Sequence, residues 1–311
     1  MKYSIIDSHC DTITKIEEEN LNFYNNYISH INIKKMLKAN IKIQFMAIYI
    51  DYNIPFPDCY FKAIKYINKI YEYEKIYDNL KVIKNKNDLD YVINKDNLIG
   101  IIITIEGGHI IHDNIDILKS LNILGVKSLT LTWNYKNKLA CGVMEKIDLG
   151  LSNFGKKVIN IMNDLNMIID VSHVSNKTFY DVISISNNPI IASHSLSSYI
   201  NNNKRNLTDD QIKKISELNG VIGINFCKEF VGKNKDISSL VDHIDRIIYI
   251  GGDNCIGLGS DFDGCEIIGD IQDCTYTYLI KNELLKRNYS ENTIKKIYNQ
   301  NYLNLLYKFF E

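Results

Sequence analysis

The chain has 311 residues and a formal net charge of −1, with 36 Lys+Arg against 37 Asp+Glu. That length accommodates one large α/β barrel, and the even charge balance leaves no basic surplus for nucleic acid or an anionic membrane surface. Seven cysteines without a CxxC pair, and a first hydrophobic run broken by Asp7, His9 and Asp11, point to a reduced, cytoplasmic protein without an export signal or a membrane span.

Eight short apolar, β-branched runs predict strands. They are SIIDSH (4–9), IKIQFMAIYI (41–50), LIGIIITIEG (98–107), VKSLTLTW (126–133), MIIDVSH (167–173), PIIASHS (189–195), GVIGINFC (220–227) and CIGLGSDFDG (255–264). Most are near-continuous hydrophobic runs, as expected of strands buried on both faces. Helical periodicity occupies 62–80, 154–166 and 208–220. The last of these opens with Thr208 and Gln211 in capping-box spacing and ends at Gly220 as an expected C-cap. From Gln272 to Phe310 the pattern predicts two helices with a break at Asn288 to Ser290. With no repeat or linker, the expectation is one domain over 1–311. The alternation predicts an α/β fold of the (β/α)8 TIM-barrel type, with a doubly wound open sheet as the rival.

The chemistry collects at strand ends. In IIDSHCDT, His9 and Asp11 are two residues apart, and on a strand such residues point to one side. Further ends carry Glu106 before Gly107 and Gly108, His173 in DVSHVS, His194 in ASHSLS, and Asp261 with Asp263 in GLGSDFDG. A parallel barrel gathers all of those ends on one face. Each residue alone has an ordinary reading: a capping pair, a solvated histidine, a turn. Together they follow apolar runs, where an unpaired charge or imidazole is costly, and a metal satisfies several at once. Three imidazoles and two carboxylates suit zinc or a similar borderline divalent ion better than calcium or magnesium. Five ligands exceed the needs of one tetrahedral catalytic zinc, and two metals sharing a carboxylate fit the count.

In this order the segments resemble the membrane (renal) dipeptidase family of metallopeptidases, peptidase family M19, which includes soluble bacterial members. IIDSHCDT is similar to the family's opening HxD, and TIEGGH to its glutamate motif. DVSHVS and ASHSLS are similar to its two histidine segments, and RNLTDDQI and GLGSDFDG complete the set. The resemblance implies a metallo-dependent TIM-barrel hydrolase, a zinc-dependent dipeptidase acting on short peptides, in some cases with a D-residue at the C-terminal position. It implies two Zn2+ per chain, one held by His9 and Asp11, the other by His173 and His194, with Glu106 bridging. It makes Asp261 the proton carrier and Arg205 the partner of the substrate's terminal carboxylate, a role that a guanidinium fork suits. It also implies a homodimer.

One departure stands out. Family members place a histidine where this chain has Trp133, followed by Asn134. Asn134 is the candidate to donate a hydrogen bond to the substrate, with Trp133 as wall. Two other functions stay open: an amidohydrolase-type hydrolase acting on a lactone or cyclic amide, and a non-catalytic barrel that kept the metal site. Of the remaining histidines, His30 and His243 are expected to be solvated and His112 peripheral. His109 is expected either to orient a ligand or to fill a loop. Cys10 is expected to pack into the core.

Overall fold

Parallel pairing runs without a gap around eight of nine strands in the computed structural model, which describes residues 3–310. The strands are β1 (Ile5–Cys10), β2 (Ile41–Tyr49), β3 (Leu80–Val82), β4 (Ile99–Glu106), β5 (Val126–Thr130), β6 (Ile168–Asp170), β7 (Ile190–Ser195), β8 (Val221–Ile224) and β9 (Ile256–Leu258). The order β1-β2-β4-β5-β6-β7-β8-β9 returns to β1 through Asp7 and Leu258, which closes the barrel and excludes the open sheet. Strand β3 was not predicted. It pairs Leu80–Val82 with Ile99–Ile101 of β4, on the edge that β5 takes over from Ile103.

The crossovers carry α1 (Thr12–Glu19), α2 (Ile33–Ala39), α3 (Asp58–Ile76), α4 (Lys86–Asn94), α5 (Ile115–Ile123), α6 (Asn153–Asp164), α7 (Asn176–Ile185), α8 (Asp209–Glu217), α9 (Lys228–Val231) and α10 (Ile237–Gly251). The tail forms α11 (Tyr278–Lys286), α12 (Glu291–Lys295) and α13 (Asn301–Phe310). Its break falls where predicted, at left-handed Asn288, but a π-helical turn over Lys296–Gln300 then divides the second expected helix. The capping box of α8 forms as its sequence requires. Its C-terminus differs from expectation: Asn219 takes the left-handed backbone, not Gly220. Gly220 serves packing instead, since a Cβ there would come 2.2 Å from the Ile190 carbonyl. Among the described residues no helix is long and apolar enough to cross a membrane.

Strand periodicity divides the core in two. Ile6, Phe45, Ile102, Ile168, Ile191 and Val221 meet inside the barrel. Their chain neighbours Ile5, Ile101, Ile169, Ile190 and Ile222 pack outward against the helices. The inner cluster is completed by Tyr302, Leu305, Leu306 and Phe309 of α13, which floors the barrel at the end away from the polar strand termini. The Tyr302 hydroxyl donates to Ser8 Oγ at 2.6 Å, and its ring lies 5.8 Å from that of Phe45. Tyr302→Phe removes one buried hydrogen bond, an expected loss of about 1 kcal/mol. Tyr302→Ala also opens a cavity, with an expected loss of about 3–5 kcal/mol. Thermal unfolding of the two variants should rank them in that order below the parent protein.

Candidate metal centre and active site

The first proposed ligand reaches the barrel mouth through an irregularity. Ile6 and Ser8 point inside, with Ser8 Oγ donating to the Ser193 carbonyl at 2.6 Å. Strict alternation would then place Cys10 inside and His9 outside. The register breaks between Asp7 and Cys10, so Cys10 lies in the outer core, as expected of it, and His9 turns to the mouth. Asp11 follows as the residue before α1.

Five side chains predicted as metal ligands converge there, all buried. His9 Nε2 lies 3.3 Å from Asp11 Oδ2 and 3.8 Å from Glu106 Oε2. The other oxygen, Glu106 Oε1, lies 2.9 Å from His173 Nε2 and 3.6 Å from His194 Nε2. The Glu106 carboxylate thus offers one oxygen to each half of the cluster. Asp261 groups with His9 and His194 within 4.8 Å.

Surrounding residues set which nitrogen of each imidazole faces inward. Ser193 Oγ donates its single proton to Asp170 Oδ2 at 2.5 Å, so it accepts from His194 Nδ1 at 2.8 Å. Asp170 also takes Thr130 Oγ1 and the amides of Ser172 and Ser193. His173 Nδ1 donates to Asn134 Oδ1 at 2.9 Å. Both rings therefore present a bare Nε2, and these two lone pairs face each other at 2.8 Å. His9 Nε2 and Asp11 Oδ1 are buried without a hydrogen-bond partner. Opposed lone pairs and orphaned ligand atoms are costly unless a cation sits among them, so these residues fit a metal.

The electrostatics agree. Burial pushes the Glu106 carboxyl well above its ordinary range, with Asp11 adding to the shift. Burial likewise raises Asp261 to about 6. Burial opposes charge on His9, but Glu106 and Asp11 outweigh it and hold the imidazolium up to about 10. Burial, with the Arg205 charge, drives His173 well down, and burial with the neighbouring His9 does the same to His194.

A cavity of about 600 Å³ opens onto this cluster, and Trp133, Asn134, Arg205 and Asp261 line it. Arg205, 5% exposed, stands over the Phe230 ring and donates to the His194 carbonyl, while its Nε has no partner. Asp261 Oδ2 accepts from Asn225 Nδ2 at 2.8 Å, a partner just past β8 that carried no signal in the sequence. Asn134 lies at the cavity as expected, yet its carbonyl oxygen is committed to His173.

Two histidines depart from the sequence reading. His243, expected to be solvated, is buried: Nδ1 accepts from Ser197 N and Nε2 donates to the Val231 carbonyl, which ties the loop after β7 to α9. His30, also expected to be solvated, exchanges two hydrogen bonds with Asp263, through its own amide and through Nδ1. Asp263 takes Thr12 Oγ1 as well and so clamps the β9 loop onto α1. That clamp holds Gly264 against the cluster, where a Cβ would come 2.0 Å from Asp11 Oδ2. His109 lies outside the cluster, against the Tyr52 ring, and His112 is peripheral, paired with Asp113.

Over residues 1–309 the chain matches the membrane dipeptidase family, peptidase family M19. It belongs to that family. A relative described as an uncharacterized dipeptidase of Schizosaccharomyces pombe is 30% identical over 288 residues, covering 84% of this chain and 69% of the relative. Among solved structures, a Rhodobacter sphaeroides metallopeptidase liganded with a phosphinate mimic of L-Ala-D-Ala superposes with a TM-score of 0.92 at 23% identity, over 98% of this chain and 99% of that one. The probable dipeptidase PvdM of Pseudomonas aeruginosa gives 0.89 at 18% identity, over 99% and 96%. These two likenesses establish the shared barrel. As a membrane dipeptidase family member the chain is a metallo-dipeptidase, and its cofactor is a metal. Because Asp170 fixes the tautomer of His194 through Ser193, Asp170→Asn should weaken metal affinity about 10–100-fold in chelator competition.

Proposed function

We propose that this chain is a binuclear zinc dipeptidase that hydrolyses the peptide bond of dipeptides, including those with a C-terminal D-residue. The observation that carries this reading is the division of the two Glu106 oxygens between His9 with Asp11 on one side and His173 with His194 on the other. In this reading His9 and Asp11 hold one Zn2+, His173 and His194 hold the second, and Glu106 bridges them. When bound, the ions supply an activated water and polarise the scissile carbonyl.

The remaining roles fall to the chain's own groups. Arg205, buried and with an unpartnered Nε, anchors the substrate's terminal carboxylate at one side of the cavity. Asn134, its oxygen engaged by His173, keeps its amide N–H groups for the substrate. Asp261 takes the proton released by the attacking water and passes it to the leaving amine. The enzyme acts in the cytoplasm, in keeping with its cysteine usage, and as a homodimer, as the resemblance implies. The L-Ala-D-Ala mimic in the Rhodobacter sphaeroides structure supports the tolerance for a D-residue.

Zinc measured by plasma mass spectrometry beside dipeptide hydrolysis tests the reading. Roughly two ions per chain with turnover are expected, both sharply reduced in Glu106→Ala. A parent protein that stays metal-free and inactive after zinc is supplied would overturn it.

The pH dependence has a definite sign. Burial holds the Asp261 carboxyl up to about 6, and only its ionised form accepts a proton. Turnover should therefore fall toward acid pH as this carboxylate protonates. Asn225 stabilises the ionised form by donating to it. Asn225→Ala should move the acid limb of kcat to higher pH, and Asp261→Asn should lower kcat about 10²–10⁴-fold across the range.

A further inference from the structure

The cavity has a polarity that the proposed reaction leaves unused. Arg205 enters from the loop after β7, and in the closed barrel β7 stands four strands from β2 in either direction. A dipeptide whose carboxylate rests on Arg205 therefore extends its N-terminal residue toward β2 and α1. The wall there combines two aromatic rings with acids. Tyr49 ends β2, and its ring lies 5.4 Å from that of Trp133. Thr14, Lys15, Glu18 and Glu19 of α1 line the same cavity, the helical spacing placing them on one face. Thr14 Oγ1 binds the Tyr49 carbonyl at 3.1 Å and holds that face beside the ring.

Lys15 has its charge matched by Asp263 at 3.7 Å, and Glu18 pairs with Lys62 of α3. Glu19 has no ion-pair partner among the described residues. An exposed, unmatched carboxylate lining the same cavity as two partly exposed aromatic rings, Trp133 and Tyr49, is the chemistry that receives a cation. From this we infer that the enzyme prefers dipeptides whose N-terminal residue carries a positively charged side chain. Lysine, ornithine and arginine are the class, with Glu19, Trp133 and Tyr49 as the specificity-determining residues. The inference rests on the proposed function, because Arg205 sets the direction in which the substrate lies. Glu229 also lines the cavity but beside Phe230, on the Arg205 side, and so provides a control for a general negative field.

The test uses the zinc-loaded enzyme with lysyl-alanine and its near-isosteric neutral counterpart norleucyl-alanine. Expected is a kcat/KM ratio of about fivefold in favour of lysine, falling to about twofold in Glu19→Gln and retained in Glu229→Gln. The ratio should also shrink at about 0.5 M sodium chloride. Binding is read independently, since Trp133 is the single tryptophan of the chain. Non-hydrolysable reduced-amide analogues of the two dipeptides should quench its fluorescence with the same order of affinity. Equal hydrolysis of both dipeptides, or a ratio that collapses equally in Glu229→Gln, overturns the specificity alone. Absence of any hydrolysis, with the cationic order intact in the fluorescence titration, overturns the dipeptidase mechanism and leaves the cation subsite standing.

Discussion

A carboxylate that is 4% exposed and lies within 3.8 Å of three imidazoles is the constraint on which the rest of this mouth depends. Glu106 comes from β4, the histidines from β1, β6 and β7, and only barrel closure brings strands that distant in the sheet to one point. In an open sheet β1 and β7 would not share a centre with β4. Burial works against the ionised form of Glu106, so its neighbours must either protonate it or gather positive charge around it. The arrangement serves the second option. His173 and His194 are each turned by a bond at Nδ1 so that Nε2 faces the carboxylate. Asp170, fully engaged by four donors, holds the second of those rings from beneath.

The eight barrel strands were legible because their runs are apolar on both faces, and the polar residues that end them stood out for the same reason. What the pattern missed is small or cooperative. Strand β3 has three residues and pairs with only the first three of β4, too short for any periodicity to register. The spacing of His9 and Asp11 pointed to the correct partners by an incomplete route. An ideal strand continuing from Ile6 and Ser8 would have sent His9 outward, and the register break between Asp7 and Cys10 corrects the aim. Asn225, Asp170 and Ser193 are ordinary residues in the sequence and acquire meaning only from what they touch. His30 and His243 were misread because polar flanking sequence says nothing about loops from elsewhere folding over them.

Both misread histidines sit in the machinery that positions the site. His243 links the loop after β7, which carries Arg205, to α9. His30 and Thr12 pin Asp263, two residues beyond Asp261 and next to Gly264. Loops in a TIM barrel vary freely, so a loop that must place one guanidinium or one carboxylate needs such ties.

Backbone conformation shows what those ties withstand. His173, Asp261 and Asp263 all adopt left-handed backbone, with φ of 70°, 61° and 68°. For side-chain-bearing residues this costs roughly 1–2 kcal/mol each relative to the right-handed region. A strand that ended in relaxed geometry would carry its last side chain along the pleat, up or down the barrel wall. The left-handed turn lets His173 and Asp261 leave β6 and β9 and still point across the mouth. The strain persists because each residue is held from more than one direction: His173 by Asn134 and through its carbonyl by Val143 N, Asp261 by Asn225 and by its amide to the His9 carbonyl, Asp263 by Thr12 and His30. Removing one tie therefore leaves a strained residue held by fewer partners against its tendency to relax. That is why ordinary residues such as Asn225 decide where the side chains of this mouth point.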